Sequence, residues 1–299
     1  MKNSILVIIV TYNAMKWAEL CFSSLRKSTV QNDVFVVDNG STDGTQDYIK
    51  QHYPEFIFTQ SESNLGFGKA NNLGFEYALK NDYKYVYLLN QDAWVMEDTF
   101  EKLIAVQSNH PEYGVISPMQ MQANLRYIDT NFYKFSCADE CSKTLLSDLY
   151  TGALKDVYEV PFVMAAHWLI SINNLKKIGG FSPTFPHYGE DDNFINRTIF
   201  HNFKVGIVTS AKAVHDREDR KLSDEKMMYI SYISYLKQLS NPFLRTQLMM
   251  VRFLYNSVKN VLVYRSFKPL IYFTKIIGSY KDIKNNRRDS IEKECPFLG

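Results

Sequence analysis

The sequence predicts an α/β protein: a mostly parallel central sheet covered by helices, with a helical appendage towards its C-terminal end. Three observations predict it. Apolar runs and amphipathic stretches alternate over the first hundred residues, which is the order of β–α–β units. The apolar runs are continuous, as in strands buried on both faces, and do not alternate as strands with one wet face do. Beyond Arg220 the chain becomes aromatic and basic at helical spacing, broken at Pro242 and Pro269.

The elements follow in order. Ser4–Val10 is an apolar run too short for a signal peptide. It passes straight into Thr11-Tyr12-Asn13 without a small-residue cleavage site, so it reads as a buried strand. Ala14–Ser28 is helical, with Trp17, Leu20, Cys21, Ser24 and Leu25 on one face. Val34–Val37 is the second strand and ends at the turn-rich loop Asp38-Asn39-Gly40-Ser41-Thr42-Asp43-Gly44. Helix Thr45–Gln51, strand Phe56–Gln60, helix Lys69–Lys80 and strand Tyr85–Leu89 come next, then helix Thr99–Ser108 and strand Gly114–Pro118. Residues 120–160 are polar and irregular, the pattern of an insertion or a β-ribbon. A helix from Glu190 to His201 and a short strand at Val205–Val208 complete a unit spanning 1–219, and 220–299 form the helical region.

Composition narrows the classes. At 299 residues, 45% hydrophobic and 22% charged, the chain is neither disordered, collagenous nor a coiled coil. Four cysteines are too few for a disulfide scaffold, and Cys137 and Cys141 lack partners at zinc spacing, so a reduced cytoplasmic setting is expected. No uninterrupted apolar window of about 18 residues suggests a spanning helix. The formal charge of +2 hides a split: Arg220 to Gly299 holds 15 basic and 6 acidic residues, leaving 19 basic and 26 acidic before it. The body is acidic and the tail basic, which argues against nucleic acid as a partner because most of the surface would repel phosphates.

Ligand crevices of open α/β sheets lie beyond the carboxyl ends of the strands, and three polar clusters fall there: Thr11–Asn13, Asp38–Gly44 and Asn90–Asp92. Asp38 is placed to accept hydrogen bonds from a ribose hydroxyl or a base; the alternative is a loop acid capping the next helix, with Ser41 or Asp43 as the N-cap. The loop from Asn64 through Gly66, Gly68, Asn71 and Asn72 allows close backbone approach, yet lacks the spacing of either common phosphate-binding glycine motif. Asp92, just past an apolar strand, suits a hard divalent cation better than a helix cap, since the next helix begins several residues later. Glu190, Asp191 and Asp192 either complement a helix dipole or include a general base. His215, taken alone, is a structural histidine more often than a ligand.

In order and spacing these segments resemble the family 2 glycosyltransferases, with the glycosyltransferase-A, Rossmann-like fold. The matching residues are Val10-Thr11-Tyr12-Asn13, Val36 through Thr45, Asn64-x-Gly66 with Asn72-x-Gly74, and Leu88-Leu89-Asn90-Gln91-Asp92. Gly179-Gly180-Phe181, Tyr188 through Asp192, and Val214-His215 continue the likeness over residues 4–216, and the branch is similar to rhamnosyl- and galactofuranosyl-transferases of bacterial surface polysaccharides. The resemblance implies a nucleotide-sugar donor (UDP- or dTDP-linked) held by Thr11, Tyr12, Asn13, Asp38, Asn64, Gly66, Asn72, Asn90 and Asp92. It implies a divalent metal, Mg²⁺ or Mn²⁺, on Asp92 and His215, and Asp191 as the base of an inverting single displacement. As an ordinary carboxylate at a helix N-terminus, Asp191 is expected to be ionised at neutral pH. Trp168, His187, Tyr188 and Glu190 are assigned to the acceptor side, the acceptor being a surface glycan or lipid-linked sugar. Two departures stand out: Asn90 replaces the first acid of the Asp-x-Asp metal motif, and Asn71 stands where many members carry arginine.

The alternative readings are weaker. A nucleotidyltransferase needs a glycine-rich first loop with a basic residue, which Thr11–Lys16 does not supply, and a non-catalytic sugar- or nucleotide-binding protein is favoured only by Asn90. In the tail, Met249–Leu254 and Leu270–Ile277 are interspersed with Arg245, Arg252, Lys259, Arg265, Lys268 and Lys275. Such helices associate with a membrane surface, pack on the catalytic unit or form an oligomer interface.

Overall fold

The computed structural model describes residues 4–137, 143–217, 223–246 and 248–298. Its elements are β1 (Ile5–Thr11), α1 (Met15–Arg26), β2 (Asp33–Asp38), α2 (Thr45–His52), β3 (Ile57–Gln60), α3 (Phe67–Lys80) and β4 (Tyr85–Asn90). They continue through β5 (Ala93–Val95), α4 (Thr99–Asn109), β6 (Tyr113–Met121), α5 (Thr130–Phe132), α6 (Lys143–Thr151), β7 (Val157–Glu159) and β8 (His167–Ser171). The chain then forms α7 (Ile172–Ile178), α8 (Glu190–Phe200), β9 (Lys204–His215), α9 (Asp224–Ser240), α10 (Met249–Tyr264) and α11 (Lys268–Glu292). A single turn of π-helix, Tyr133–Cys137, follows α5.

One sheet runs through the body in the order β3-β2-β1-β4-β8-β6-β9-β5, with β7 also on β9. It is parallel from β3 to β4 and again between β6 and β9, as the continuous apolar runs predict; β8 enters antiparallel between β4 and β6. Strand β1 shows why both faces are covered. Ile5, Val7 and Ile9 pack with Ala18, Cys21, Phe22 and Leu25 of α1 and with Phe100 and Leu103 of α4. Leu6 and Ile8 join the opposite layer, with Ala70 and Phe75 of α3, Leu175 of α7 and Phe194 of α8. The alternation of side chains along a strand divides one apolar run between two cores.

The insertion expected at 120–160 is partly helical, and β5 and β8 are strands in segments to which the sequence reading assigned no element. The boundary between 219 and 220, and Cys141, lie outside the described residues. The C-terminal helices have an apolar core of their own, in which Ile233 and Leu236 of α9 meet Phe253 of α10 and Phe273 and Ile276 of α11. They also return to the body. Lys177 Nζ lies 3.0 Å from Glu294, Gly180 N–H donates to the Pro296 carbonyl, and the Asn72 amide donates to the Phe297 carbonyl. Gly179 is required there: its φ is +68°, and a Cβ would fall 1.9 Å from Pro296 O.

Candidate active site

The order of β2, β1 and β4 places the carboxyl ends of three parallel strands side by side, with Thr11 opposite Asp38 and Val10 opposite Asn90. Two loops are knitted together above them. Asn13, at φ +53°, donates its N–H to Ser41 Oγ and accepts from Thr42 N–H on its side-chain oxygen. Ala14 N–H donates to Thr45 Oγ1 and Met15 N–H to Asp43. Burial works to raise the Asp43 pKa, but hydrogen bonds from Thr45 and Met15 outweigh it and hold the carboxyl below its usual value.

Asp38 is fully buried and engaged on both oxygens. Oδ2 accepts from Thr11 Oγ1 at 2.8 Å and Ser41 Oγ at 2.5 Å. Oδ1 accepts from the N–H groups of Gly40 and Ser41 and from Gln46 Nε2 at 2.8 Å. A carboxylate has about four acceptor sites, so little capacity is left for a nucleoside. These contacts make Asp38 the organiser of the loop after β2, and a donor would reach its carboxylate only in competition with them. Tyr12 is 49% exposed over this platform, its main chain bracketed by the Gln91 side chain, which accepts from Tyr12 N–H at 2.7 Å and donates to its carbonyl at 3.2 Å.

Asn64 Oδ1 accepts from Gly66 N–H, and Asn39 Oδ1 accepts from Leu65 N–H, so this loop is fixed to the one after β2. Gly66 in turn abuts Pro186 on the loop leading to α8, where a Cβ would come within 3.1 Å of the carbonyl. Asn72 does not face this crevice. Its amide brackets Phe181, accepting from the N–H at 2.7 Å and donating to the carbonyl at 3.0 Å, and that pairing makes it a fastener for the Gly-Gly-Phe segment.

Asp92 and His215 meet because β5 pairs antiparallel with β9, Ala93 opposite His215. His215 Nε2 lies 3.4 Å from Asp92 Oδ1, and the buried His215 Nδ1 has no hydrogen-bond partner. Burial works to raise the Asp92 pKa, yet the hydrogen bond and charge of His215 dominate and keep the carboxyl below the usual range. Trp17 Nε1 donates to Asp216 at 2.9 Å and Asp216 N–H to the Asp92 carbonyl, which steadies the pair. Two ligands at right angles on one small divalent cation stand about 3 Å apart. The pair therefore fits two adjacent positions of such an ion, and imidazole with carboxylate suits Mn²⁺. Among the described residues no group of three or more His, Cys, Asp and Glu gathers to cage a metal.

The third part is the start of α8. Glu190 is 6% exposed with Oε2 unpartnered; burial, and then the charges of Asp191 and Asp192, push its pKa up to about 8. Asp191 accepts from Asp192 N–H at 2.8 Å. Its carboxyl is also pushed up, by burial first and then by Asp192, with Lys237 opposing. Desolvation beside like charge thus outweighs the helix terminus in setting the direction of the Asp191 shift, an effect the sequence reading did not include. Sequence reading missed α9 here. Lys237 Nζ reaches Asp192 at 2.6 Å, Tyr229 Oη donates to the His187 carbonyl, and Lys226 sits over the Tyr188 ring. His187, Tyr188 and Glu190 are thus gathered on one wall. Trp168 is not among them: fully buried, it stacks with Phe181 and donates from Nε1 to the Val163 carbonyl, leaving no surface for an acceptor.

The family model described as glycosyl transferase family 2 matches residues 6–179, more than half of the chain. The chain belongs to glycosyl transferase family 2. An N-acetylglucosaminyl-diphospho-decaprenol L-rhamnosyltransferase of Mycobacterium tuberculosis is 29% identical over 122 residues, covering 38% of this chain and 40% of that protein. An undecaprenyl-phosphate mannosyltransferase of Micrococcus luteus is 28% identical over 103 residues, covering 33% and 42%. The match thus spans about two fifths of the length of these relatives. Among solved structures, S. aureus TarS 1-349 in complex with UDP-GlcNAc superposes with a TM-score of 0.58 at 16% identity, covering 96% of this chain and 83% of that one. The mannosyltransferase PcManGT from Pyrobaculum calidifontis, in complex with GDP-Man and Mn²⁺, gives 0.54 at 15% identity over 97% and 74%. These likenesses establish the glycosyltransferase-A fold for this family member.

Proposed function

We propose that this chain transfers a sugar, with inversion, from a UDP- or dTDP-linked donor to a hydroxyl of a glycan or lipid-linked acceptor. The observations that support the reading are a metal-competent pair, Asp92 and His215, just beyond β4, and the packing of Pro186 and Glu190 against Gly66 and Gly68, which brings the start of α8, with Asp191, towards the loops beyond the strand ends. The relative named for rhamnosyl transfer to a decaprenol-linked sugar supports a lipid-linked acceptor, and the UDP-GlcNAc complex of TarS supports a UDP-linked donor. The Mn²⁺ in PcManGT supports a divalent cation.

Asp191 takes the proton of the acceptor hydroxyl as that oxygen attacks the anomeric carbon opposite the leaving diphosphate. A base of raised pKa holds that proton better once transferred. Lys237 and Asp192 fix the turn that carries it. His187 and Tyr188 orient the acceptor against α9, and Tyr12 offers an exposed ring beside the donor loop. When bound to Asp92 and His215, a divalent cation supplies charge stabilisation for the departing phosphate.

The test is release of nucleoside diphosphate from UDP- and dTDP-sugars with and without Mn²⁺, in the protein and in Asp191→Asn. The variant should lose at least about 100-fold in turnover while still binding donor. Near-normal turnover in it would sink the assignment of the base.

A further inference from the structure

The outer face of α10 is apolar although nothing among the described residues covers it. Phe253 and Ser257, four residues apart, bury one side of the helix against α9 and α11. The opposite side carries Val251, Tyr255, Val258 and Leu262 at helical spacing, and Val251 and Leu262 are 70% and 77% exposed. Phe267, 74% exposed at the corner before α11, extends the stripe. A surface helix of an ordinary soluble protein presents charge there. This one is apolar on both sides, and its outward stripe is a contiguous patch of the kind that marks an interaction site.

The charges around the stripe say what it fits. Met249–Tyr264 contains no acidic residue. Arg252 and Lys259 each follow a stripe residue by one position and border it, and Arg265 closes its end in the left-handed conformation that turns the chain towards α11. None of these three has a carboxylate partner among the described residues; Lys268, by contrast, is already held by Glu225. A stripe of apolar side chains edged by free cations complements a surface that is apolar within and anionic at its rim. No described helix is long and apolar enough to cross a membrane, so the geometry is that of a helix lying in an interface.

We propose that the outward face of α10 docks this protein on an anionic lipid surface, Val251, Tyr255, Val258 and Leu262 entering the headgroup boundary and Arg252, Lys259 and Arg265 meeting the phosphates. A second copy of the chain is the poorer occupant. A two-fold interface on this stripe would set each basic border against itself with no acid to answer it. The inference does not depend on which sugar is transferred or on which residue is the base.

The experiment is sedimentation of the full chain with vesicles of phosphatidylcholine alone and of phosphatidylcholine with one third phosphatidylglycerol, at 50 and 300 mM salt. Binding is expected to the anionic vesicles and to weaken at high salt. Lys259→Ala should lower the partition about fivefold. Val258→Glu with Leu262→Glu should lower it at least about tenfold, both positions being exposed so that folding, checked by thermal melting, is retained. Absence of vesicle binding, or binding indifferent to the double substitution, overturns the proposal. So does a dimer in sedimentation equilibrium that the same double substitution dissociates, because the face would then belong to a second copy.

Discussion

Replacing Glu190 by glutamine isolates the cost of holding three acids at the start of α8. The side chain is 6% exposed, lies beside Asp191 and Asp192, and titrates near 8 in the folded protein against 4.5 for an ordinary glutamate. Its folded pKa is the higher one, so its neutral form is favoured by folding. That contribution is fully present below about pH 4.5 and is lost as pH rises through about 8. At 1.36 kcal/mol for each pH unit between the two values, the whole loss is at most about 5 kcal/mol. Glutamine has the same shape and cannot ionise. The stability of the Glu190→Gln protein relative to the parent should therefore grow between pH 5 and pH 9, by about 2–5 kcal/mol, or several degrees in melting temperature. Urea unfolding of both proteins at pH 5, 7 and 9 measures this difference, and titrations of groups remote from Glu190 cancel. Parallel stability–pH curves would refute the reasoning, because they would mean that Glu190 ionises in the folded protein without penalty.

Other perturbations test the remaining parts of the site. Asp92→Ala and His215→Ala should each weaken Mn²⁺-dependent donor binding by at least about tenfold, measured by calorimetry with and without the metal. Unchanged donor affinity in Mn²⁺ would remove the pair from the site. Lys237→Met takes away the cation that opposes the raised Asp191 pKa, so the acidic limb of the kcat/KM profile should move up by about 0.5–1 pH unit. A purely structural Lys237 would lower activity without moving that limb. Gly189→Ala forces a side chain onto φ +87° with its Cβ 2.9 Å from Ile233, and should cost about 2–4 kcal/mol in chemical denaturation.

Much of the body was legible because β1, β2 and β4 are continuous apolar runs, and their ends carry the polar clusters that any crevice ligand would meet. What escaped did so for physical reasons. Strand β8 opens with His167, a polar residue made acceptable to the core by bonds from its ring to Tyr87 and to the Val214 carbonyl, partners that no local pattern reveals. Three-residue β5 is too short to show a period. Trp168 lies in a segment without a clear period, so its ring suggested a pocket wall when it fills the core. Asp38 was visible as an acid at a strand end, but the five donors that occupy it come from three separate parts of the chain. Tyr229 and Lys237 were invisible for the same reason: they reach the His187 carbonyl and Asp192 from 42 and 45 positions further along the chain. The raised pKa values belong to burial and to neighbours, neither of which is a property of sequence order.

The clasp of residues 294–298 over Gly179–Phe181 also bears on the order in which the protein is completed during synthesis. The Asn72 amide is joined to a carbonyl 225 residues later, so this fastening cannot form while the ribosome is still translating α9 to α11. Until then the two glycines and Phe181 present an open seam on the body, and the acids of α8 lack Lys237. An emerging chain thus passes through a stage in which the sheet and the loops beyond β1, β2 and β4 can be finished while the start of α8 still lacks its partner on α9.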